Sequence, residues 1–162
     1  MLGMLTNLKY QIAKMESVLS EAFLVIDVQN DFCPNGDQFL WPADCIQGSL
    51  GASFHPDLKD EKADVIIRKG SNSNVDSYSA FFENDKVRPT GLNGYFKNRE
   101  VTDITLVGIT ADFCVAFSAL DAARLGYQVT VRLDMVRAID ANGSLRTAMG
   151  KMSKAGVNLV NG

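Results

Sequence analysis

Histidine is nearly absent: His55 is the one histidine among 162 residues. A single imidazole excludes a multi-histidine zinc site, and any Ser-His-Asp or Cys-His mechanism would have to run through that residue. Cysteine is scarce too. Cys33, Cys45 and Cys114 are odd in number and widely spaced, which fits a reducing compartment, expected to be the cytoplasm, better than a disulfide framework. Long apolar runs are missing: residues 22–26 are far too few to span a bilayer, Lys9, Lys14, Glu16 and Glu21 precede them, and no signal peptide is evident. Charge of one sign is missing as well. Sixteen basic against nineteen acidic side chains leave −3, which gives no electrostatic footprint for nucleic acid or an anionic membrane. What is present is an ordinary globular composition, 46% apolar and 22% charged, in a length that suits one domain. A domain of this size typically hides roughly 68 to 70% of its chain's surface, so neither disulfides nor a structural metal is required for stability.

Four apolar, largely β-branched runs read as buried parallel strands, at residues 22–28, 64–70, 103–109 and 128–134, with a short fifth at 157–160. Helical patterns at 112–125 and 144–155 stop at Gly126 and Gly156, where a helix C-terminus favours glycine. Alternating strand and helix predicts an α/β fold. The 112–125 helix is apolar on most sides, which predicts burial against the sheet and leaves a second subunit open as a further cover. Residues 1–21 form an N-terminal extension before a 22–162 domain. Leu5, Leu8, Ile12, Met15 and Leu19 fall at helical spacing there, which fits either an amphipathic docking helix or an unneeded extension upstream of a start at Met15. One stretch resists the pattern. Consecutive parallel strands need a crossover, yet residues 29–63 carry Pro34, Gly36, Pro42, Gly48, Gly51 and Pro56 and show no helical period.

In open parallel sheets ligands bind beyond the carboxyl ends of the strands. Asp27, Lys69 and Cys114 stand at or just beyond three such ends, so an acid, an amine and a thiol could converge on one crest. A thiol at a helix N-terminus beside an ammonium is favoured as thiolate. His55 sits in a Phe-His-Pro turn, which makes Asp27 the better proton acceptor. Taken singly, each residue reads more readily as a turn aspartate, a solvated strand-end lysine or a small core cysteine, and Asp134 ends the next strand with no such company. Only the combination carries weight.

At these residues the sequence resembles the nicotinamidases, or pyrazinamidases, of the isochorismatase-like cysteine hydrolase superfamily. The resemblance rests on Val-Ile-Asp-Val-Gln-Asn-Asp-Phe-Cys-Pro-Asn-Gly at 25–36, Trp-Pro-Ala-Asp-Cys-Ile-Gln-Gly at 41–48 and Phe-His-Pro-Asp-Leu at 54–58. It continues in Arg-Lys-Gly at 68–70, Val-Asp-Ser-Tyr-Ser-Ala-Phe-Phe at 75–82 and Val-Gly-Ile-Thr-Ala-Asp-Phe-Cys-Val at 107–115. It implies a three-layer α/β/α fold with a mostly parallel sheet, and hydrolysis of nicotinamide and similar carboxamides to nicotinate and ammonia in NAD salvage. By resemblance Asp27 accepts the thiol proton, Cys114 attacks the carboxamide and forms a thioester, and Lys69 supplies positive charge. The backbone amides of Thr110 and Cys114 match the oxyanion hole, next to a cis peptide that would join Ile109 and Thr110. Phe32, Trp41, Tyr78 and Phe113 match positions around the pyridine ring, with ordinary core packing still open for Phe32 and Phe113.

The match has a hole in it. Only residues 37–40 lie between Gly36 and Trp41, where the family carries a helix, its second strand and two metal ligands. A third ligand position, a histidine in the family, is Asp44 here. The family binds a divalent metal such as zinc, iron or manganese; a lone carboxylate is a poor site for one, so no metal cofactor is expected. The missing strand would lie between the first strand and the lysine-bearing one. Either these two pair directly, moving Lys69 by about 4.8 Å, or a gap exposes edges that invite association of copies. The expected partner is a small carboxamide, with no nucleic acid and no membrane, and a homo-oligomer left open. Two alternatives stand beside nicotinamidase activity: a metal-independent amidase on another small amide, and an inactive truncated relative or gene-model fragment acting as an oligomerising module.

Overall fold

The computed structural model describes residues 20–33, 45–70 and 75–162. The expectations for residues 1–19, Trp41 and Asp44 lie outside the described residues. Four strands, β1 (Ser20–Ile26), β2 (Val101–Ile109), β3 (Gln128–Arg137) and β4 (Asn158–Val160), form a parallel sheet in the order β1-β2-β3-β4. Three helices accompany them: α1 (Leu92–Asn98), α2 (Cys114–Arg124) and α3 (Ser144–Lys154). This is the α/β architecture expected from the alternating pattern.

Each crossover steps to the next strand in the same direction, so right-handed connections place α2 and α3 on one face. There Leu24, Ile104, Leu106, Val129 and Val131 of the sheet meet Val115, Ala116, Ala119 and Ala122 of α2, and Ala148 and Met152 of α3. The alanines of α2 keep that face of the helix thin, so its backbone lies close to the sheet. On the opposite face of β1, Phe23 and Val25 are 59% and 38% exposed. Among the described residues β1 is an edge strand, and no helix is long and apolar enough to cross a membrane.

Several boundaries differ from the sequence reading. Ser20 and Glu21, assigned above to the extension, already belong to β1, and β3 runs on to Arg137. Its register with β2 jumps from Leu106↔Val131 to Gly108↔Val136, and that bulge breaks the alternation a sequence pattern depends on. Asp112 and Phe113 precede α2 instead of opening it. Helix α1 was not expected. Gly94 lowers its intrinsic propensity, but Leu92 and Phe96, one turn apart, are 1% and 5% exposed, and Phe96 packs on Phe81 and Tyr127 with ring centroids 6.1 and 6.0 Å apart.

The main correction concerns residues 64–70, which form no strand. A strand exists by virtue of a ladder, and among the described residues nothing pairs with this segment. Its side chains still alternate: Val65, Ile67 and Lys69 are half-buried while Ile66, Arg68 and Gly70 are exposed. Ile67 packs on the core, and the period of two then turns Lys69 the same way. No α-helix bridges the described part of residues 29–63, which holds two short 3-10 turns, Asn30–Phe32 and Asp60–Lys62.

Candidate active site

The parallel register sets Ile26 opposite Gly108, so Asp27 and Thr110, just past the ends of β1 and β2, are neighbours on the carboxyl edge of the sheet. Asp27 has φ +46°, a left-handed conformation that aspartate tolerates better than most residues. The peptide between Ile109 and Thr110 is cis. Past it the chain turns through Asp112 and Phe113 and enters α2 at Cys114.

Three side chains meet here. Lys69 Nζ lies 2.8 Å from Asp27 Oδ2 and 3.7 Å from Cys114 Sγ, and it also donates to the Ser77 carbonyl at 2.8 Å. The Asp27 carboxylate and the Thr110 backbone N–H lie close enough to the Cys114 sulfur to act on its acidity, in opposite directions. The side chains of Lys69 and Asp27 are only 18% and 13% exposed, so these contacts act in a low-dielectric setting. Burial works against the Lys69 charge, but Asp27 and Cys114 outweigh it and hold the ammonium above its ordinary range. Burial and the adjoining Asp27 carboxylate push the Cys114 thiol up to about 12, against the opposing pull of Lys69. At neutral pH the resting thiol therefore keeps its proton. The displacement of Lys69 that direct pairing of its segment with β1 would have caused does not arise.

Tyr78 and Phe113 stand beside this centre, with ring centroids 5.9 Å apart; Tyr78 also packs on Phe117 at 5.2 Å. Phe32 is half-buried in the turn after β1, and that turn is fastened to residues 50–53 by Asn30 N–H to the Ser53 carbonyl, Asp31 N–H to the Gly51 carbonyl, and Gln29 Nε2 to the Ala52 carbonyl. Trp41 falls outside the described residues. His55 Nδ1 accepts from the Asp57 N–H at 3.3 Å. The divalent metal implied by the resemblance finds no grouped set of donors among the described residues. One histidine is available in the whole sequence, and among the described residues no three or more His, Cys, Asp or Glu side chains are grouped to hold an ion.

Sequence reasoning missed Asp112. Only 5% exposed, its carboxylate accepts from Ser144 Oγ at 2.6 Å, Asp140 N at 2.8 Å and Ile139 N at 3.2 Å, tying the turn before Cys114 to the loop after β3. Burial opposes its charge, yet these three donors outweigh burial and hold the carboxyl below the usual range. Asp112→Asn is expected to cost about 2 kcal/mol at pH 7, the effect of leaving buried donors short of an acceptor. Because the folded pKa is depressed, this contribution is complete above the ordinary aspartate value of about 4 and fades as pH falls through the lower folded value. Denaturant unfolding of wild type and variant at pH 7 and pH 3 should show the gap closing; an equal gap at both would count against it.

A thiol, an ammonium and a carboxylate in contact on the carboxyl edge of a parallel α/β sheet form a cysteine-centred site. The chain belongs to the isochorismatase family, whose Isochorismatase domain matches residues 34–161. It is 47% identical over 127 residues to the nicotinamidase of Acinetobacter baylyi, across 78% of this chain and 59% of that protein; it therefore spans under two thirds of that relative's length. Among solved structures it resembles a nicotinamidase/pyrazinamidase of Acinetobacter baumanii, with TM-score 0.84 and 35% identity over 88% of this chain and 96% of that one. It also resembles PnC1 from L. infantum in complex with nicotinate, with TM-score 0.81 and 26% identity over 88% and 93% of the two chains.

Proposed function

We propose that this chain hydrolyses nicotinamide, and similar pyridine and pyrazine carboxamides, to the carboxylate and ammonia through a thioester on Cys114, without a bound metal. The observation that carries this is the single ammonium of Lys69 in contact with both Asp27 and Cys114. A thiol that keeps its proton at rest needs a base at the moment of attack, and the Asp27 carboxylate stands beside it. As the sulfur bonds to the carboxamide carbon, the proton passes to Asp27 and charge develops on the oxygen. The N–H groups of Thr110 and of Cys114, the latter at a helix N-terminus where amides lack intrahelical acceptors, would stabilise that charge. Asp27 then protonates the departing nitrogen, and ammonia leaves. Water loses a proton to Asp27, attacks the thioester and releases the acid, and the thiol regains its proton. Lys69 holds Asp27 in place and offsets the negative charge throughout. Tyr78 and Phe113, with Phe32 and Trp41, would flank the ring.

Metal independence is supported by donor chemistry, since one histidine and scattered carboxylates make a poor site for a divalent ion. The role in NAD salvage, in the cytoplasm, is supported by the resemblance to nicotinamidases. Purified protein is expected to release ammonia from nicotinamide at a rate that a chelator leaves unchanged and added zinc, iron or manganese does not raise. Turnover only with metal would remove the metal-independent part of the proposal. Absence of turnover on nicotinamide, pyrazinamide and small aliphatic amides alike, in folded protein, would remove the rest.

A further inference from the structure

Ser118 lies one helical turn beyond Cys114 and is wholly buried. Its hydroxyl donates to the Cys114 carbonyl at 2.6 Å, an ordinary back-bond for a serine in a helix. The unusual partner is the other one. The same oxygen accepts the backbone N–H of Ala80 at 2.9 Å, from a segment 38 residues away in sequence. That segment holds Lys69 through the Ser77 carbonyl, is pinned by the Tyr78 N–H donating to Asn84 Oδ1 at 3.1 Å, and is held on its far side by Thr90 Oγ1 donating to the Ala80 carbonyl at 2.6 Å.

These contacts close a ring. It runs from Cys114 along one turn of α2 to Ser118, across to Ala80, back to Ser77, through Lys69 Nζ and again to the Cys114 sulfur, 3.7 Å away. Everything in the ring except the Ser118 bridge is either covalent chain or a contact of the site itself. We propose that Ser118 is a positioning residue that sets the distance between the Lys69 ammonium and the Cys114 sulfur, and through it the reactivity of the thiol. Without the hydroxyl the Ala80 N–H is buried with no acceptor, and the cheapest repair is for residues 77–80 to move away from α2 toward water. Lys69 follows the Ser77 carbonyl, and the thiol loses its nearest positive charge. The inference rests on the reading of Cys114 as the nucleophile, but the reactivity of the free thiol can be measured without any substrate.

The test is the rate of Cys114 alkylation by iodoacetamide between pH 6 and 10, resolved by mass spectrometry from Cys33 and Cys45, in wild type, Ser118→Ala, Ser118→Thr and Val129→Ala. The reagent reacts with the thiolate, so the Ser118→Ala curve should be displaced to rates about tenfold lower, the change equivalent to one pKa unit. Ser118→Thr keeps the hydroxyl and should restore the wild-type curve. Val129→Ala loosens the same core away from the ring and should leave the curve in place although its melting temperature falls. A folded Ser118→Ala whose curve is unchanged or faster would overturn the proposal. A second measurement needs no variant: in wild type the Ala80 amide should exchange with solvent as slowly as the interior amides of α2. Exchange on the order of 100-fold faster would mean the bridge is open most of the time and overturn the proposal equally. If wild type proves inactive on every amide, the proposed function fails while the alkylation curves still decide the role of Ser118.

Discussion

Cys114→Ala is expected to abolish ammonia release, lowering kcat/KM by on the order of 10,000-fold or more, because removing a nucleophile disables both half-reactions. The size follows from the geometry. Sulfur is where the Thr110 amide, the Asp27 carboxylate and the Lys69 ammonium act together, and among the described site atoms it is the one that can form the thioester. Cys114→Ser should be almost as inactive: a hydroxyl is a far weaker acid than a thiol, and a site that already pushes the thiol up to about 12 has no means of ionising an alcohol. Neither change should unfold the protein. Cys114 is the first residue of α2, both replacements fit its volume, and the Lys69–Asp27 pair remains. Steady-state ammonia assays with circular dichroism as the control settle the matter: turnover within tenfold of wild type in folded Cys114→Ala would falsify the thioester route.

The triad was legible in the sequence because strand ends are. A β-branched run announces where the sheet stops, and in a parallel sheet the residue after the run is delivered to the functional edge. Thus Asp27 follows the Leu-Val-Ile of β1, and Cys114 follows the end of β2 by five residues. Lys69 was found for a partly different reason from the one expected. Its Val-Ile-Ile run predicts a strand, yet no ladder forms; what survives is the two-residue alternation of buried and exposed side chains, which turns Lys69 inward to where Asp27 and the Ser77 carbonyl hold its ammonium. Helix α1 was illegible because two buried side chains override a glycine-containing sequence, a tertiary effect that no local pattern records. Asp112 and Ser118 were illegible for a related reason. Each is a common residue whose role consists of partners 27 to 38 positions away, and only the folded chain reveals which buried N–H or O–H groups need an acceptor.

Gly108→Ala should be the most damaging substitution in the scaffold, costing on the order of 4 kcal/mol by combining backbone strain with overpacking. Gly108 has φ +111°, in a region where an L side chain is strained whatever the space around it. There is also no space. A Cβ at this position would stand 2.1 Å from the Ile26 carbonyl oxygen and 2.7 Å from the Ile26 nitrogen, and these are backbone atoms of the neighbouring strand that cannot swing aside as a side chain would. Relief requires β1 and β2 to separate where Ile26 pairs with Gly108, one residue before Asp27 and two before Thr110. Asp27 and Thr110 therefore move together. Since a domain is stable by only about 5 to 15 kcal/mol, the variant should show a large fall in denaturant midpoint. Any folded fraction should lose far more activity than Val129→Ala, whose cavity lies elsewhere in the sheet. A Gly108→Ala protein as stable as wild type, with turnover intact, would mean that β1 and β2 do not approach this closely at the site.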